Sequence, residues 1–290
     1  VLRRLYHRSG LSALEHVLKE RAFDRAYGAI DRFHVNVGTM ELNFSTEESY
    51  SRHWFFPRLE GGGIHEEPVT LLLMEVLEEA HCFVDVGANI GWYACVASKR
   101  IPEGVVYGFE MDEFNCEILE RNLAANGCAN VRVVHAAVTD EPGRASYLRY
   151  ARRPSSNFRL YGSEVWRKDA DAGSSGETVF VDAVRLDHFF RDREDAPDVV
   201  KIDVEGAEMH VLRGMTGILD RRPPTMFVEV HPEELMDFGS SAEEVIAFLI
   251  DRGYRLFEVG RSGWNGAEGK LGALDKTSHP DHTIMVYARV

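Results

Sequence analysis

The chain has 290 residues, 44% of them apolar and 28% charged, and a formal net charge of -14. The apolar share is enough for a sizeable core, while the excess of acid argues against nucleic acid as a partner, since the basic clusters Arg3-Arg4 and Arg152-Arg153 are small. No apolar run reaches the length of a membrane span, residues 1–10 lack the apolar stretch of a secretion signal, and the cysteines (Cys82, Cys95, Cys116, Cys128) form no CxxC pair. The expectation is a soluble cytoplasmic protein with no membrane partner, with room for a homo-oligomer.

Residues 11–33 carry a helical apolar pattern through Leu14, Val17, Leu18, Phe23, Tyr27 and Ile30. Residues 34–44 read as a hairpin, with Val35 and Val37 alternating, Gly38 turning, and Met40, Leu42 and Phe44 alternating again. Trp54, Phe55 and Phe56 are read as core. Past Gly61-Gly62-Gly63, Pro68 opens a helix with Glu66 and Glu67 at its front. This divides the chain into an N-terminal helical and hairpin extension over residues 1–64, a lid or dimer element, and a main domain over residues 65–290.

From residue 82 the rhythm changes. Short β-rich runs at 82–86, 105–109, 131–135, 199–202, 226–230, 255–259 and 282–288 alternate with helical stripes. One stripe is Phe114, Ile118, Leu119 and Leu123. A second is Val211, Leu212, Met215 and Leu219, and a third is Val245, Phe248 and Leu249. The pattern predicts an α/β, Rossmann-like fold, with a mostly parallel seven-stranded sheet and helices on both faces. Residues 151–176, rich in Ser, Gly, Arg and Asp, read as a long surface loop.

Ligands of such folds bind at the carboxyl ends of the strands. The first strand ends in Asp85-Val86-Gly87-Ala88-Asn89-Ile90-Gly91. This turn departs from the dinucleotide pattern G-x-G-x-x-G, and its acid at the start suits a positive sulfonium and an amino group better than a pyrophosphate. Glu110 follows about 20 residues later, the separation expected of a carboxylate that takes both ribose hydroxyls. Met111 lies beside it and Asp112 caps the next helix. Ala136-Ala137 reads as a small-residue wall for an adenine. In the segment 199–208, Lys201, Asp203 and Glu205 alternate, so all three are expected on one side, at the open end of the sheet. Glu229 and His231 repeat the device on the next strand before Pro232.

These segments resemble the FkbM family of methyltransferases. The cofactor loop is similar over Phe83-Val84-Asp85-Val86-Gly87-Ala88-Asn89-Ile90-Gly91. A second hallmark is similar over Lys201-Ile202-Asp203-Val204-Glu205-Gly206-Ala207-Glu208, and a third over Phe227-Val228-Glu229-Val230-His231. The resemblance covers roughly residues 65–290 and implies a class I methyltransferase fold with S-adenosyl-L-methionine as donor. It implies transfer of a methyl group to a hydroxyl of a sugar or natural product, the small-molecule partner. Asp85, Gly87, Ala88, Asn89 and Gly91 then hold the methionine part, Glu110 and Met111 the ribose side, and Asp203 and Glu205 border donor and acceptor. An alcohol needs a base, and His231 or Asp203, with Glu229 beside them, are the candidates. In a second version Asp203, Glu229 and His231 hold a divalent metal that acidifies the hydroxyl. Two other classes stay open at this point: a nicotinamide-dependent oxidoreductase on the same fold, and a non-catalytic adenosyl-binding module.

Overall fold

A computed structural model describes residues 31–46, 55–56, 59, 62–150, 160–161, 176–260 and 271–290. Nearly all of the helix expected over 11–33, Trp54, and most of the loop expected over 151–176 lie outside the described residues. The chain divides into two units, Val1–His65 and Glu66–Val290. In the first, β1 (Arg32–Val37) and β2 (Met40–Ser45) pair as an antiparallel hairpin closed at Val37 and Met40. Its alternation puts Val35, Val37, Leu42 and Phe44 in the interior. Phe33 stacks on Phe56 with ring centroids 4.6 Å apart, and Phe55 and Phe56 are both buried.

The second unit opens with α1 (Glu67–Val76), whose first turn holds Pro68, followed by β3 (Cys82–Val86) and α2 (Trp92–Arg100). Next come β4 (Val105–Glu110), α3 (Glu113–Asn126) and β5 (Val131–His135). Asp112 caps α3 by accepting from the Asn115 N–H at 3.0 Å, and Gly127 ends it in a left-handed conformation. Four strands then leave the main sheet: β6 (Ala137–Val138), β7 (Gly143–Tyr150), β8 (Leu160–Tyr161) and β9 (Gly176–Val184). The chain returns through α4 (Leu186–Phe189), β10 (Val199–Ile202), α5 (Glu208–Gly214) and α6 (Thr216–Arg221). It closes with β11 (Thr225–Val230), α7 (Pro232–Asp237), α8 (Ala242–Ile250), β12 (Arg255–Val259), β13 (Leu271–Leu274) and β14 (Ile284–Arg289).

The main sheet runs β13-β12-β14-β11-β10-β3-β4-β5. β5, β4, β3, β10 and β11 are mutually parallel, and β14 lies antiparallel between β11 and β12. Both faces are covered, so β3 and β10 are buried at every position; their residues are apolar except Asp85 and Lys201, which lie opposite one another. The strand order reverses between β3 and β10, and the crevice beyond their carboxyl ends is where a doubly wound sheet binds its ligand. This is the α/β Rossmann-like architecture expected. Among the described residues no helix is long and apolar enough to cross a membrane.

Three expectations need correction. Among the described residues the sheet has eight strands, not seven. The extra edge strand β13 has the sequence Leu-Gly-Ala-Leu, and Gly and Ala at its centre carry no alternation signal. The stripe Val211, Leu212, Met215 and Leu219 belongs to two helices, because Met215 leaves helical geometry with φ -124°. Finally, between residues 137 and 184, where no strand was expected, lies a four-stranded sheet of order β6-β9-β7-β8, with β7 and β9 flanking the expected loop. Ala137, Ala145, Tyr147, Val181 and Ala183 form its own small core. Gly214 packs close beneath it, since a Cβ there would stand 2.3 Å from the Thr139 carbonyl oxygen.

Candidate active site

The turn after β3 is tied to the end of β4 by backbone. The N–H groups of Gly87 and Ala88 both donate to the Phe109 carbonyl at 2.9 Å. Asn89 has φ 49°, and its N–H donates to Glu110 Oε2 at 2.8 Å, while the Asp112 N–H donates to Glu110 Oε1 at 2.9 Å. One carboxylate thus clips the two loops together. Burial pushes the Glu110 carboxyl up to about 7, against the pull of those backbone donors.

Asp85 is buried, and its oxygens make no hydrogen bond of ordinary geometry among the described residues, although the Ala94 N–H lies near enough to favour its charge; Asn89 Oδ1 likewise has no hydrogen-bond partner there. Burial lifts the Asp85 carboxyl to about 6, opposed by Lys201. Buried oxygens without donors are costly. A ligand that brings an amino group and hydroxyls would satisfy these three, so the residues present fit an adenosyl amino acid.

The glycines of the turn answer to the protein itself. Gly87 has φ 84°, and a Cβ there would meet the Asp203 carbonyl oxygen at 1.9 Å; one on Gly91 would meet Leu119 Cδ1 at 2.3 Å. Ala136 and Ala137 are buried beside Glu110, with the Ala136 N–H donating to the Glu110 carbonyl at 3.0 Å. Met111 is half-buried and packs on the small sheet. The donor residues read from the sequence therefore meet at the carboxyl ends of β3, β4 and β5.

The second half of the site lies at the ends of β10 and β11. Lys201 is buried within β10, its Nζ 3.0 Å from Asp203 Oδ2 and 4.6 Å from the centre of the Tyr93 ring. Burial alone would lower its basicity, but Asp203 and Asp85 outweigh that and raise it. Burial opposes the charge on Asp203, but Lys201, with His231 second, holds its carboxyl below the usual carboxylate range.

The strand stops at Ile202, so strand alternation is not what brings Glu205 in. Glu205 adopts a left-handed φ of 51°, and its Oε2 comes within 3.7 Å of His231 Nε2. Glu229 Oε1 stands 3.9 Å from the same nitrogen. Burial lifts Glu205 to about 7 and Glu229 to about 9, in the second case with Asp203 and Glu66 adding repulsion. Donor atoms of Asp203, Glu205 and His231 all lie within 4.8 Å of one another. Of the three metal candidates read from the sequence, Asp203 and His231 belong to this trio, and Glu205 takes the third place rather than Glu229.

Sequence reasoning missed Glu208. Its side chain is fully buried at the start of α5, and its Oε1 accepts from His231 Nδ1 at 2.7 Å and from the Gly206 N–H at 2.9 Å. Burial disfavours a charged imidazole. The Glu208 hydrogen bond, with Asp203 and Glu205, overrides it and lifts His231 to about 10. The ring is therefore an imidazolium at neutral pH, not a free base. Glu208 stood inside the sequence motif, but nothing in spacing separates an acid that points inward from one that points to solvent.

Residues 85–256 match the Methyltransferase FkbM domain. The chain is 30% identical over 188 residues to the hexuronic acid methyltransferase AglP of Haloferax volcanii, covering 64% of this chain and 69% of that one. It is 26% identical over 244 residues to the 31-O-demethyl-FK506 methyltransferase FkbM of Streptomyces tacrolimicus, covering 76% and 84%. Among solved structures, a methyltransferase FkbM from Methylobacillus flagellatus KT aligns with a TM-score of 0.43 at 16% identity, over 72% of this chain. The chain spans 44% of that protein's length.

Proposed function

Because the chain belongs to the FkbM family of methyltransferases, we propose that it methylates a hydroxyl of a small molecule, a sugar acid or a natural product, with S-adenosylmethionine as donor. The observation that carries this reading is the double role of Asp203. Its backbone carbonyl packs against Gly87 of the donor turn, and its side chain belongs to the carboxylate and histidine cluster. A hydroxyl held at that cluster lies next to the donor. The relatives support the acceptor class, since one acts on hexuronic acid and another on a natural product by their names.

When bound, S-adenosylmethionine supplies a methyl group on a positively charged sulfur. Asp85 gives that charge an anionic neighbour, and Glu110 offers its carboxylate to the ribose hydroxyls. The chain's remaining task is to hold the acceptor oxygen in line and take its proton. His231 starts as an imidazolium and Asp203 is engaged by Lys201, so neither is the free base. Glu229, at about 9, is likewise protonated at neutral pH; Glu205, at about 7, is the carboxylate of the cluster that is part-ionised there and able to accept the proton, while His231 steadies the negative charge around it. A nicotinamide is disfavoured by the same turn, where Asp85 would face a pyrophosphate with no counter-charge of its own beyond Lys201.

The test is calorimetric titration with S-adenosylhomocysteine, with NAD as control and Glu110→Ala as variant. Binding that weakens at least about tenfold in the variant supports the donor site. Methyl transfer to a hexuronic acid or an alcohol-bearing natural product, followed by mass spectrometry, then tests the acceptor. A chain that binds neither S-adenosylhomocysteine nor any methyl acceptor, or that prefers NAD, overturns the reading.

A further inference from the structure

We infer that Asp203, Glu205 and His231 form a divalent-cation site at the acceptor end of the cleft. The inference rests on the methyltransferase reading for its place in the reaction, but the site itself stands on geometry. Three donor atoms, from the loop after β10 and from the residue that follows β11, lie within 4.8 Å of one another. Around an octahedral ion with bonds of about 2.1 Å, neighbouring ligands are about 3 Å apart and opposite ones about 4.2 Å. The 4.8 Å limit is only slightly wider than this, so small side-chain rotations would close the set on one ion.

An independent feature points the same way. The His231 side chain is only 7% exposed, and its Nε2 has no hydrogen bond: its nearest partners, Glu205 Oε2 and Glu229 Oε1, are 3.7 and 3.9 Å away. Meanwhile Nδ1 is fixed by the wholly buried Glu208. A ring held by a carboxylate at one nitrogen and turning the other into a carboxylate pocket, at ion-pair rather than hydrogen-bond distance, has the form of a metal-ligating imidazole with its supporting acid, and an arriving cation would displace the Nε2 proton to solvent.

The electrostatics agree. Asp203, Glu205, Glu208 and Glu229 converge here, and apart from His231 itself Lys201 is the cation the structure sets against them. Two carboxylates and an imidazole suit Mn²⁺, Mg²⁺ or Fe²⁺ rather than a thiolate-seeking ion. A cation in this place gives the oxygens of a sugar acid or a diol a docking point beside the donor. Glu229 lies outside the trio; with an ion bound, the acceptor hydroxyl would lose its proton to solvent water rather than to Glu205.

The probe is Mn²⁺, titrated into the full chain at neutral pH and followed by electron paramagnetic resonance. One ion should bind per chain, with competition by Mg²⁺. The bound ion should show spin-echo modulation from a directly coordinated imidazole nitrogen, a signature that needs no variant. Glu205→Gln and His231→Asn should weaken Mn²⁺ about tenfold or more and keep S-adenosylhomocysteine binding, which also shows that they fold. Glu110→Gln should do the reverse. A chain that binds S-adenosylhomocysteine but not Mn²⁺ overturns the cation site and leaves the methyltransferase reading intact. Absence of the nitrogen signature, or Mn²⁺ affinity indifferent to both ligand substitutions, overturns it as well.

Discussion

His231 Nδ1 and Glu208 Oε1 lie 2.7 Å apart, and the carboxylate that holds the ring has no solvent exposure at all. Neither group titrates or turns independently of the other. Glu208→Gln keeps the volume but removes the charge that fixes the ring. The expected result is a fall in kcat of about 10- to 100-fold, with S-adenosylhomocysteine affinity within about threefold of the parent. Glu208→Ala leaves a buried imidazolium without its partner and should cost roughly 3–5 kcal/mol of stability. Steady-state methyl transfer and thermal melting read the two effects separately.

Glu110 provides a pH signature. In the ligand-free chain its carboxyl is raised from 4.5 to about 7. A group raised in this way stabilises the fold fully below its unfolded value and loses that contribution as pH climbs through about 7. The ribose hydroxyls need the ionised form as acceptor. S-adenosylhomocysteine should therefore bind more weakly as pH falls below about 7, by up to about tenfold per unit. Glu110→Gln should bind weakly with a flat profile. Calorimetry across that range checks both.

Gly87→Ala tests how closely the donor turn meets the acceptor cluster. The new methyl would stand 1.9 Å from the Asp203 carbonyl oxygen at a φ of 84°, so the backbone must move. A loss of at least about 2 kcal/mol of stability is expected, with S-adenosylhomocysteine binding reduced as well. Thermal melting with and without the ligand measures it.

The Tyr147 side chain ties the small sheet to the donor loop. The Tyr147 hydroxyl donates to Asp112 Oδ2 at 2.8 Å, and Asp112 also caps α3. Tyr147→Phe should lose roughly 1.5–3 kcal/mol, seen as a melting point lower by several degrees.

How much of this was legible in the sequence follows from where the information sits. β3 and β10 are short apolar runs ending in acids, and their burial on both faces makes such runs unmistakable. The cap Asp112 and the hairpin turn at Gly38 are local chemistry and were readable as such. The small sheet was not, although Ala145 with Tyr147 and Val179 with Val181 and Ala183 do alternate. Its strands flank a polar stretch, and pairing across so long a connection leaves no local trace. Glu205 was placed near the right partners for the wrong reason, because a left-handed turn and not strand alternation directs it. Glu208 escaped because its partner His231 is brought to it only by the folding of β11 against α5.

Lys201 carries a last consequence. It sits opposite Asp85 in the sheet register and touches Asp203 with its ammonium. A single positive charge is thus divided between an acid of the donor turn and an acid of the acceptor cluster. A cationic donor settling near Asp85 returns more of that charge to Asp203, and a cation or proton arriving at Asp203 returns it to Asp85. The two ligands must then sense one another, and by thermodynamic necessity the effect of each on the other is equal. A cationic donor and a cation at Asp203 should therefore weaken each other's binding by the same factor, through one ammonium group.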